Sequence, residues 1–425
     1  MKRCGTETPH AVRVPSSKSA AHRLLICAAL SEGPSTVSVF RPSADVEATV
    51  SCLNALGARI VARGDGADGV TRYEVTPLNA RRGEENPAQG IREFHPGESG
   101  STLRFLLPVA AALGVDACFV CEGRLPERPL GPLLDVLRLG GVTAVKEGNT
   151  VRVSGRLQAG EYALPGNVSS QFVSGMLLAL PLADGLSTLK VEGRLESADY
   201  VKMTLEALKL SGIEIKRECS LYRVPGGQQF RLTGEHYVGG DWSGAAFMLC
   251  AGAASGTGVT VLGLDTDSAQ GDRRILEVLE ALGAEVECRG GNVTVREGTL
   301  HGITLDASDI PDLVPAIAAL AAQIKGETVI KGAARLRYKE SDRLETTAAM
   351  LRQLGGSVTV NEDGLTIIGR ALTGGNADSF GDHRIAMAAA VASMGSALPV
   401  TVNGAECVTK SYPGFWEDFH RAMGI

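Results

Sequence analysis

The stretch "VLEALGAEVE", Val278 to Glu287, joins the end of a predicted helix to the start of a predicted strand. Apolar residues three and four positions apart precede Gly283, which is typical of a helix with one buried face. A glycine directly after such a helix commonly takes the left-handed backbone conformation that ends it. The β-branched alternation that follows predicts a strand.

The same pattern occurs six times along the chain. The other copies are "CLNALGARI", "VLRLGGVTAV", "LEALKLSGIEI", "MLRQLGGSVTV" and "FHRAMGI", with their glycines at Gly57, Gly140, Gly212, Gly355 and Gly424. A second helix, apolar on nearly all sides and therefore buried, is predicted once in each copy. These buried helices are expected to begin near Ser16, Glu98, Asn167, Asp241, Asp309 and Gly381. Each copy is thus large enough for two helices and several strands.

A chain of 425 residues suits two domains, so six copies predict two domains of three copies each. The weakest helical signal between copies lies in "YRVPGGQQFRLTGEHYVGG", residues 222–240. We therefore predict a first domain over 14–229 and a second over 230–425.

Composition narrows the class of protein. A net charge of −6 and an aromatic content of 4% argue against a nucleic-acid partner. The sequence has no apolar run of the roughly 18 residues that a membrane span needs, and its start does not resemble a signal peptide. Nine scattered cysteines suit a reducing compartment, so we expect a cytoplasmic protein. The CxxC pair of Cys118 and Cys121 is a weak metal signal, and its setting predicts a buried strand.

Cationic side chains recur where the buried helices begin. In "VPSSKSAAHR", Val14 to Arg23, several donors precede an almost wholly apolar run. Helix N-termini present unpaired N–H groups and a positive dipole end to anions. Taken singly, each cation is typical of a solvated surface charge, but together they predict an anion site without a nucleotide P-loop. The cations are Lys18, Arg23, Arg104, Arg128, Lys339, Arg343, Arg384 and Lys410.

Eight motifs in order along the chain resemble the EPSP synthase family, the 3-phosphoshikimate 1-carboxyvinyltransferases. They are "PSSKSAAHR", "GESGSTLRF", "ERPLGPL", "NVSSQF", "DIPDLVP", "YKESDRL", "GDHRIAMA" and "VTKSYPGF". The resemblance implies an α/β fold of two similar domains, each of three βαβαββ units. This is an inside-out α/β barrel with buried helices and sheets outside. It also implies that residues 1–13 pack onto the second domain.

The resemblance implies transfer of the enolpyruvyl group of phosphoenolpyruvate to the 5-hydroxyl of shikimate 3-phosphate, with release of phosphate. The product, 5-enolpyruvylshikimate 3-phosphate, belongs to the shikimate pathway of chorismate and aromatic amino acid biosynthesis. The implied shikimate 3-phosphate site contains Lys18, Ser19, Arg23, Ser169, Ser170, Gln171, Ser197, Asp312 and Lys339. The implied phosphoenolpyruvate site contains Lys18, Gly100, Arg128, Gln171, Arg343, Arg384 and Lys410.

Two carboxylates carry the implied proton transfers. Asp312 would take the proton of the attacking hydroxyl and Glu340 would protonate the methylene carbon, with Lys18 and His383 as possible assistants. Tyr200 is either a residue near the shikimate ring or a packing residue. The carboxylates of Asp309 and Asp342 are expected to cap helices. We expect no metal or organic cofactor, a monomer, and no partner beyond the two small-molecule substrates.

The resemblance also implies that the inhibitor glyphosate occupies the phosphoenolpyruvate pocket beside Gly100. Replacing Arg343 or Lys410 by alanine is expected to weaken the use of phosphoenolpyruvate and hardly affect folding. Three positions depart from the family pattern, namely Ser16, Glu98 and Arg335.

Two other functions would account for part of the sequence pattern. The sister enzymes that act on UDP-N-acetylglucosamine carry a reactive cysteine where this chain has Gly123. A non-catalytic scaffold that binds an anionic metabolite would explain the cations but not Asp312 and Glu340.

Overall fold

The computed structural model describes residues 9–64, 68–78 and 90–425 and shows a mixed α/β protein. The chain forms two compact units. The first unit is Lys18–Val238, and the second unit is Gly239–Ile425 together with the residues up to Ser17. Within the described ranges, none of the helices has the length and apolar character needed to cross a membrane.

Helices and strands alternate along the whole chain. The helices are α1 (Lys18–Leu30), α2 (Ala44–Leu56), α3 (Gly100–Ala112), α4 (Gly131–Leu139), α5 (Ser170–Ala179), α6 (Ala198–Leu210), α7 (Trp242–Ala254), α8 (Ile275–Ala281), α9 (Val314–Ala321), α10 (Arg343–Gln353), α11 (His383–Ser393) and α12 (Phe415–Met423). The strands are β1 (His10–Arg13), β2 (Ser35–Phe40), β3 (Arg59–Arg63), β4 (Val70–Thr76), β5 (Arg92–Gly97), β6 (Ala117–Cys121), β7 (Thr143–Glu147), β8 (Thr150–Ser154), β9 (Glu161–Pro165), β10 (Ser187–Glu192), β11 (Lys216–Glu218), β12 (Leu221–Val224), β13 (Gly234–Tyr237), β14 (Val259–Leu262), β15 (Glu285–Arg289), β16 (Asn292–Arg296), β17 (Thr304–Asp306), β18 (Gly326–Lys331), β19 (Ser357–Val360), β20 (Leu365–Gly369), β21 (Gly375–Asp378) and β22 (Val400–Asn403).

Three stretches of the chain form the same four-stranded sheet. Their strand orders are β5-β6-β8-β7, β9-β10-β12-β11 and β17-β18-β20-β19. In each sheet the first two strands are parallel and the last two pairings are antiparallel. One helix follows the first strand and another follows the second, so each stretch has the order βαβαββ.

Two further sheets take their first strand from a distant part of the chain. Strand β13 pairs in parallel with β2, and β1 pairs in parallel with β14. Because β13 completes a sheet of the first unit, that unit extends to Val238, beyond the predicted limit of 229. Residues 14–17 likewise lie in the second unit. Residues 1–8 of the predicted N-terminal segment lie outside the described residues.

The helix after each first strand is buried on nearly all sides, as α7 shows. Asp241 caps α7 by accepting a hydrogen bond from the backbone N–H of Gly244 at 3.2 Å, and every residue from Trp242 to Ala253 is buried. The helix after each second strand buries one face only; in α4 this face consists of Leu133, Leu134, Val136 and Leu137. The predicted pair of buried and amphipathic helices is therefore present in the structure.

Two local predictions were wrong. The helix expected near Asp309 begins only at Val314, because Pro311–Leu313 form a 3-10 turn before it. Gly140 follows α4 with a φ of −79°, and the left-handed residue is the next one, Gly141, with a φ of 83°. The other five predicted glycines do have positive φ.

Candidate active site

Lys18 is the first residue of α1, and its ammonium group is paired with a carboxylate. Its Nζ lies 2.8 Å from Oδ2 of Asp45, in the first turn of α2. The two side chains are 17% and 9% exposed. Asp45 was not predicted as a functional residue, because its setting in "SADVEA" indicates only a helix start.

Arg23 lies one turn further along α1 and is buried among polar groups of three helices. Its Nε donates to Thr204 Oγ1 at 2.8 Å, its Nη1 to the Ser19 carbonyl at 2.6 Å and its Nη2 to the Tyr200 carbonyl at 2.8 Å. Its guanidinium lies 4.9 Å from the centre of the Phe105 ring. Burial lowers the pKa of Arg23 to about 10, so it stays protonated at neutral pH. The structure thus brings together Arg23, Ser19 and Tyr200.

The side chains of Arg104, Arg128 and Gln171 lie close to the beginnings of α3 and α5. Gln171 accepts a hydrogen bond from Arg104 Nη1 at 3.0 Å and donates to Ser101 Oγ at 2.9 Å. A Cβ at Gly100 would lie 2.9 Å from Nη1 of Arg128 and would also contact Arg104. The missing side chain of Gly100 therefore makes room for two guanidinium groups.

The remaining predicted residues of the first unit begin helices. Ser169 caps α5 by accepting from the backbone N–H of Gln171 at 3.3 Å, and Ser170 is buried directly behind it. Ser197 precedes α6 with a left-handed φ of 52°. Non-glycine residues seldom take this conformation, and when they do they are often found at functional sites.

Asp312 is the centre of a charged cluster in the second unit. It lies in the 3-10 turn before α9 and is surrounded by three of the predicted cations. Its Oδ1 is 2.9 Å from Arg343 Nη1 and 3.4 Å from Lys339 Nζ, and its Oδ2 is 3.5 Å from Arg384 Nη2.

Arg343 binds two further carboxylates and is only 2% exposed. Its Nη2 donates to Glu340 at 2.8 Å, and its Nε donates to Asp382 at 2.8 Å. Asp382 also caps α11 by accepting from the backbone N–H of Arg384 at 2.9 Å. Asp382 was not predicted as a functional residue, because an aspartate before an apolar helix indicates a cap and nothing more.

Burial and neighbouring charges shift the pKa values of the ionisable groups in and beside this cluster. Burial disfavours ionisation of Asp312, but Arg384, Lys339 and Arg343 outweigh it and hold the pKa of Asp312 well below its usual value. Burial, assisted by Arg343 and Arg335, lowers the pKa of Lys339 to about 8 although Asp312 opposes this shift. Burial and the nearby Asp312 raise the pKa of Asp272 to about 7.

Lys410 and His383 are placed by α11. His383 is its first residue and is buried, and Lys410 ends a 3-10 turn, Ala405–Lys410, that packs against this helix. Asp342 caps α10 by accepting from the backbone N–H of Glu345 at 3.3 Å, which confirms its predicted role. Asp309 does not precede a helix, and its carboxylate lies 3.9 Å from Arg274 Nη1.

The sequence pattern of the family described as EPSP synthase (3-phosphoshikimate 1-carboxyvinyltransferase) matches residues 5–419. The chain belongs to the EPSP synthase family. A 3-phosphoshikimate 1-carboxyvinyltransferase of Clostridium kluyveri is 42% identical over 419 residues, which cover 97% of this chain and 94% of that protein. The EPSP synthase structure from Acinetobacter baumannii superposes with a TM-score of 0.78 at 28% identity, covering 98% of this chain and 96% of that one.

A second structural relative supports the fold alone. The enolpyruvyl transferase NikO from Streptomyces tendae has a TM-score of 0.75 at 19% identity, covering 98% of this chain and 95% of that chain. The family match, the sequence relatives and the Acinetobacter structure therefore show the family membership. The resemblance inferred from the eight motifs is confirmed.

Proposed function

We propose that this protein transfers the enolpyruvyl group of phosphoenolpyruvate to the 5-hydroxyl of shikimate 3-phosphate and releases phosphate. The observation that carries the proposal is the match to the EPSP synthase family over residues 5–419. The charged groups suit these substrates, which bring two phosphates and two carboxylates. Arginine matches such groups with forked hydrogen bonds, and lysine supplies a point charge.

The first unit is proposed to bind both substrates through its helix N-termini. Shikimate 3-phosphate contacts the beginnings of α1, α5 and α6, where Ser19, Ser169 and Ser197 lie. Phosphoenolpyruvate contacts the beginning of α3, where Gly100 leaves the Arg128 guanidinium uncrowded. Lys18, held by Asp45 at 2.8 Å, serves both substrates.

The second unit is proposed to supply the proton transfers. Asp312, kept ionised by its three cations, accepts the proton of the 5-hydroxyl as the oxygen attacks the enol carbon. Glu340 protonates the methylene carbon of phosphoenolpyruvate. Because the product again carries a methylene group, that carbon must return a proton to the Glu340 carboxylate when the bond between the enol carbon and the phosphate oxygen breaks. Arg343 and Arg384 balance the negative charge of the reacting groups.

The finer architecture is part of the proposal. The repeated βαβαββ order and the buried helices support two domains that are each an inside-out α/β barrel. The monomeric state and the cytoplasmic location stay predictions.

The test is phosphate release from phosphoenolpyruvate, measured with shikimate 3-phosphate and with UDP-N-acetylglucosamine as acceptors, with and without a metal chelator. We expect release with shikimate 3-phosphate alone and no effect of the chelator. Asp312→Asn and Glu340→Gln should lower turnover by about 10²–10⁴-fold, the usual contribution of a general acid or base. Asp309→Asn, which alters a nearby carboxylate outside the cluster, should keep most of the activity. Release with UDP-N-acetylglucosamine instead would contradict the proposal.

The residue in the position of the sister enzymes' reactive cysteine also argues against that acceptor. Gly123 has a φ of 53°, a conformation that side chains rarely adopt. A Cβ at this position would collide with the Glu98 carboxylate. A cysteine here would require both residues to move.

A further inference from the structure

A buried hydroxyl joins three helices of the first unit. Thr204 Oγ1, on α6, lies 2.8 Å from Nε of Arg23 on α1 and 2.8 Å from Oγ of Ser174 on α5. It also lies 3.1 Å from the Tyr200 carbonyl, one turn earlier on α6. Thr204 and Ser174 are fully buried, so this hydroxyl exchanges no hydrogen bond with solvent.

The geometry suits the hydrogen-bonding capacity of each group. The Nε–H of an arginine is only a donor, so Thr204 Oγ1 must accept from it. The single hydrogen of the Thr204 hydroxyl is then available for Ser174 or for the Tyr200 carbonyl. Together with the bonds from Nη1 and Nη2 to the Ser19 and Tyr200 carbonyls, this contact fixes the plane of the guanidinium.

The three helices that meet at Thr204 are the ones whose first turns carry residues assigned to shikimate 3-phosphate. Ser19 lies in the first turn of α1, Ser170 begins α5 and Ser197 precedes α6. Thr204 lies behind these turns and is not one of the assigned ligands. It touches Arg23 directly, and Arg23 is the cation among those ligands that is most deeply enclosed by α1, α5 and α6.

We propose that Thr204 is a positioning residue for shikimate 3-phosphate, which it serves by holding the guanidinium of Arg23 at a fixed orientation between α1, α5 and α6. This inference rests on the proposed function, since it assumes that Arg23 binds that substrate. Loss of the hydroxyl would let the guanidinium turn and would leave its Nε–H without an acceptor in a buried place, where an unmet donor is costly.

The experiment compares Thr204→Val, which keeps the shape and removes the hydroxyl, with Thr204→Ser, which keeps the hydroxyl. Thr328→Val is the matched control, because Thr328 is buried and its hydroxyl makes no hydrogen bond within the described part of the chain. For each variant the KM for both substrates and the dissociation constant for shikimate 3-phosphate are measured, the latter by calorimetric titration.

Thr204→Val should raise the KM and the dissociation constant for shikimate 3-phosphate about tenfold or more, since a hydrogen bond to a charged group is lost. The KM for phosphoenolpyruvate should change much less. Thr204→Ser should restore most of the affinity, and Thr328→Val should behave as wild type. A purely structural role would weaken both substrates alike or neither, so this split separates the two explanations.

Unchanged affinity for shikimate 3-phosphate in folded Thr204→Val would overturn the inference, as would equal losses for both substrates. If Thr204→Val does not fold, Thr204→Ala takes its place: it also removes the hydroxyl that accepts from Arg23 Nε and should weaken shikimate 3-phosphate selectively. Unchanged affinity there would equally overturn the inference. A wild-type protein that releases no phosphate from the two substrates would contradict the proposed function instead.

Discussion

Gly100 leaves a space that two guanidinium groups fill. A methyl group at this position would contact Arg104 and come within 2.9 Å of Arg128 Nη1. Gly100→Ala should therefore displace Arg128, raise the KM for phosphoenolpyruvate and leave the affinity for shikimate 3-phosphate nearly unchanged. Since glyphosate is expected to share this pocket and to reach slightly further than the substrate, its inhibition should weaken more. Steady-state kinetics with and without glyphosate measure both effects.

Inhibition of the wild type and of the alanine variant by glyphosate tests whether Gly100 borders the phosphoenolpyruvate site. The wild type must be inhibited by glyphosate, and the alanine variant must resist it. A wild type that is insensitive, or a variant inhibited as strongly as the wild type, would remove Gly100 from the phosphoenolpyruvate site.

Arg343 is more deeply buried than its position in the sequence suggests. We expected Arg343→Ala to spare folding, but its guanidinium is buried among Asp312, Glu340 and Asp382. Removing it would leave three carboxylates without their shared cation, and breaking a buried ion pair typically costs about 3–5 kcal/mol. Arg343→Ala should therefore lower the free energy of unfolding measurably in urea titrations. Lys410→Ala is the comparison, which should lower affinity for phosphoenolpyruvate and keep the wild-type midpoint.

Lys339 gives the site a pH dependence near neutrality. Its pKa is lowered to about 8, mainly by burial, so its positive charge is present below that pH and is lost above it. The ratio kcat/KM for shikimate 3-phosphate should accordingly fall as the pH rises through about 8. Lys339→Arg keeps a cation at higher pH and should move the decline upward. An alkaline limb that stays in place in this variant would assign the titration to another group.

At the scale of a helix, the residue that precedes α6, Ser197, has an unusual backbone conformation. Its left-handed φ of 52° places the serine at the beginning of the helix at a conformational cost of roughly 1–2 kcal/mol. Ser197→Gly relieves this cost, whereas Ser197→Ala keeps it, and both remove the hydroxyl. The glycine variant should therefore unfold at a higher urea concentration than the alanine variant, while both show a raised KM for shikimate 3-phosphate. Equal stability of the two variants would show that the conformation is not strained.

Elements were predictable where local patterns determine them. The buried strand around Cys118 and the helix α7 follow from continuous apolar runs, and both are present. The start of α9 was misplaced because Pro311 and the residues after it form a 3-10 turn that leaves the apolar pattern unchanged. Asp45 as the partner of Lys18 and Asp382 as one partner of Arg343 were not predictable, because they come from separate segments and look like ordinary helix starts.

At the scale of the whole chain, the six copies are not six independent units of sequence. Strand β13 pairs with β2, about 200 residues away, and β1 pairs with β14, about 250 residues away. No local sequence pattern predicts these pairings, because a short strand has the same kind of sequence whichever strand it pairs with. For this reason the glycines predicted the repeat, but the local sequence did not predict that the first unit extends to Val238.

The contribution of the segment after residue 229 can be tested with two fragments, 18–238 and 18–229. The shorter fragment lacks β13, which would leave β2 as an unprotected sheet edge. It also lacks Phe230, Leu232 and Val238, which belong to the core of the first unit. The Phe230 carbonyl accepts from Glu32 at 3.0 Å, and the Leu232 N–H donates to Ser31 Oγ at 2.9 Å.

Burying a large apolar side chain contributes about 1.5–3 kcal/mol, so losing these residues should remove several kcal/mol. Fragment 18–238 should unfold cooperatively in urea, whereas 18–229 should unfold at a much lower concentration or be unfolded in buffer. Phe230→Ala in the longer fragment should fall between the two, because it removes one core side chain and keeps β13. Equal midpoints for both fragments would mean that the first unit is stable without β13 and ends near 229, as the sequence suggested.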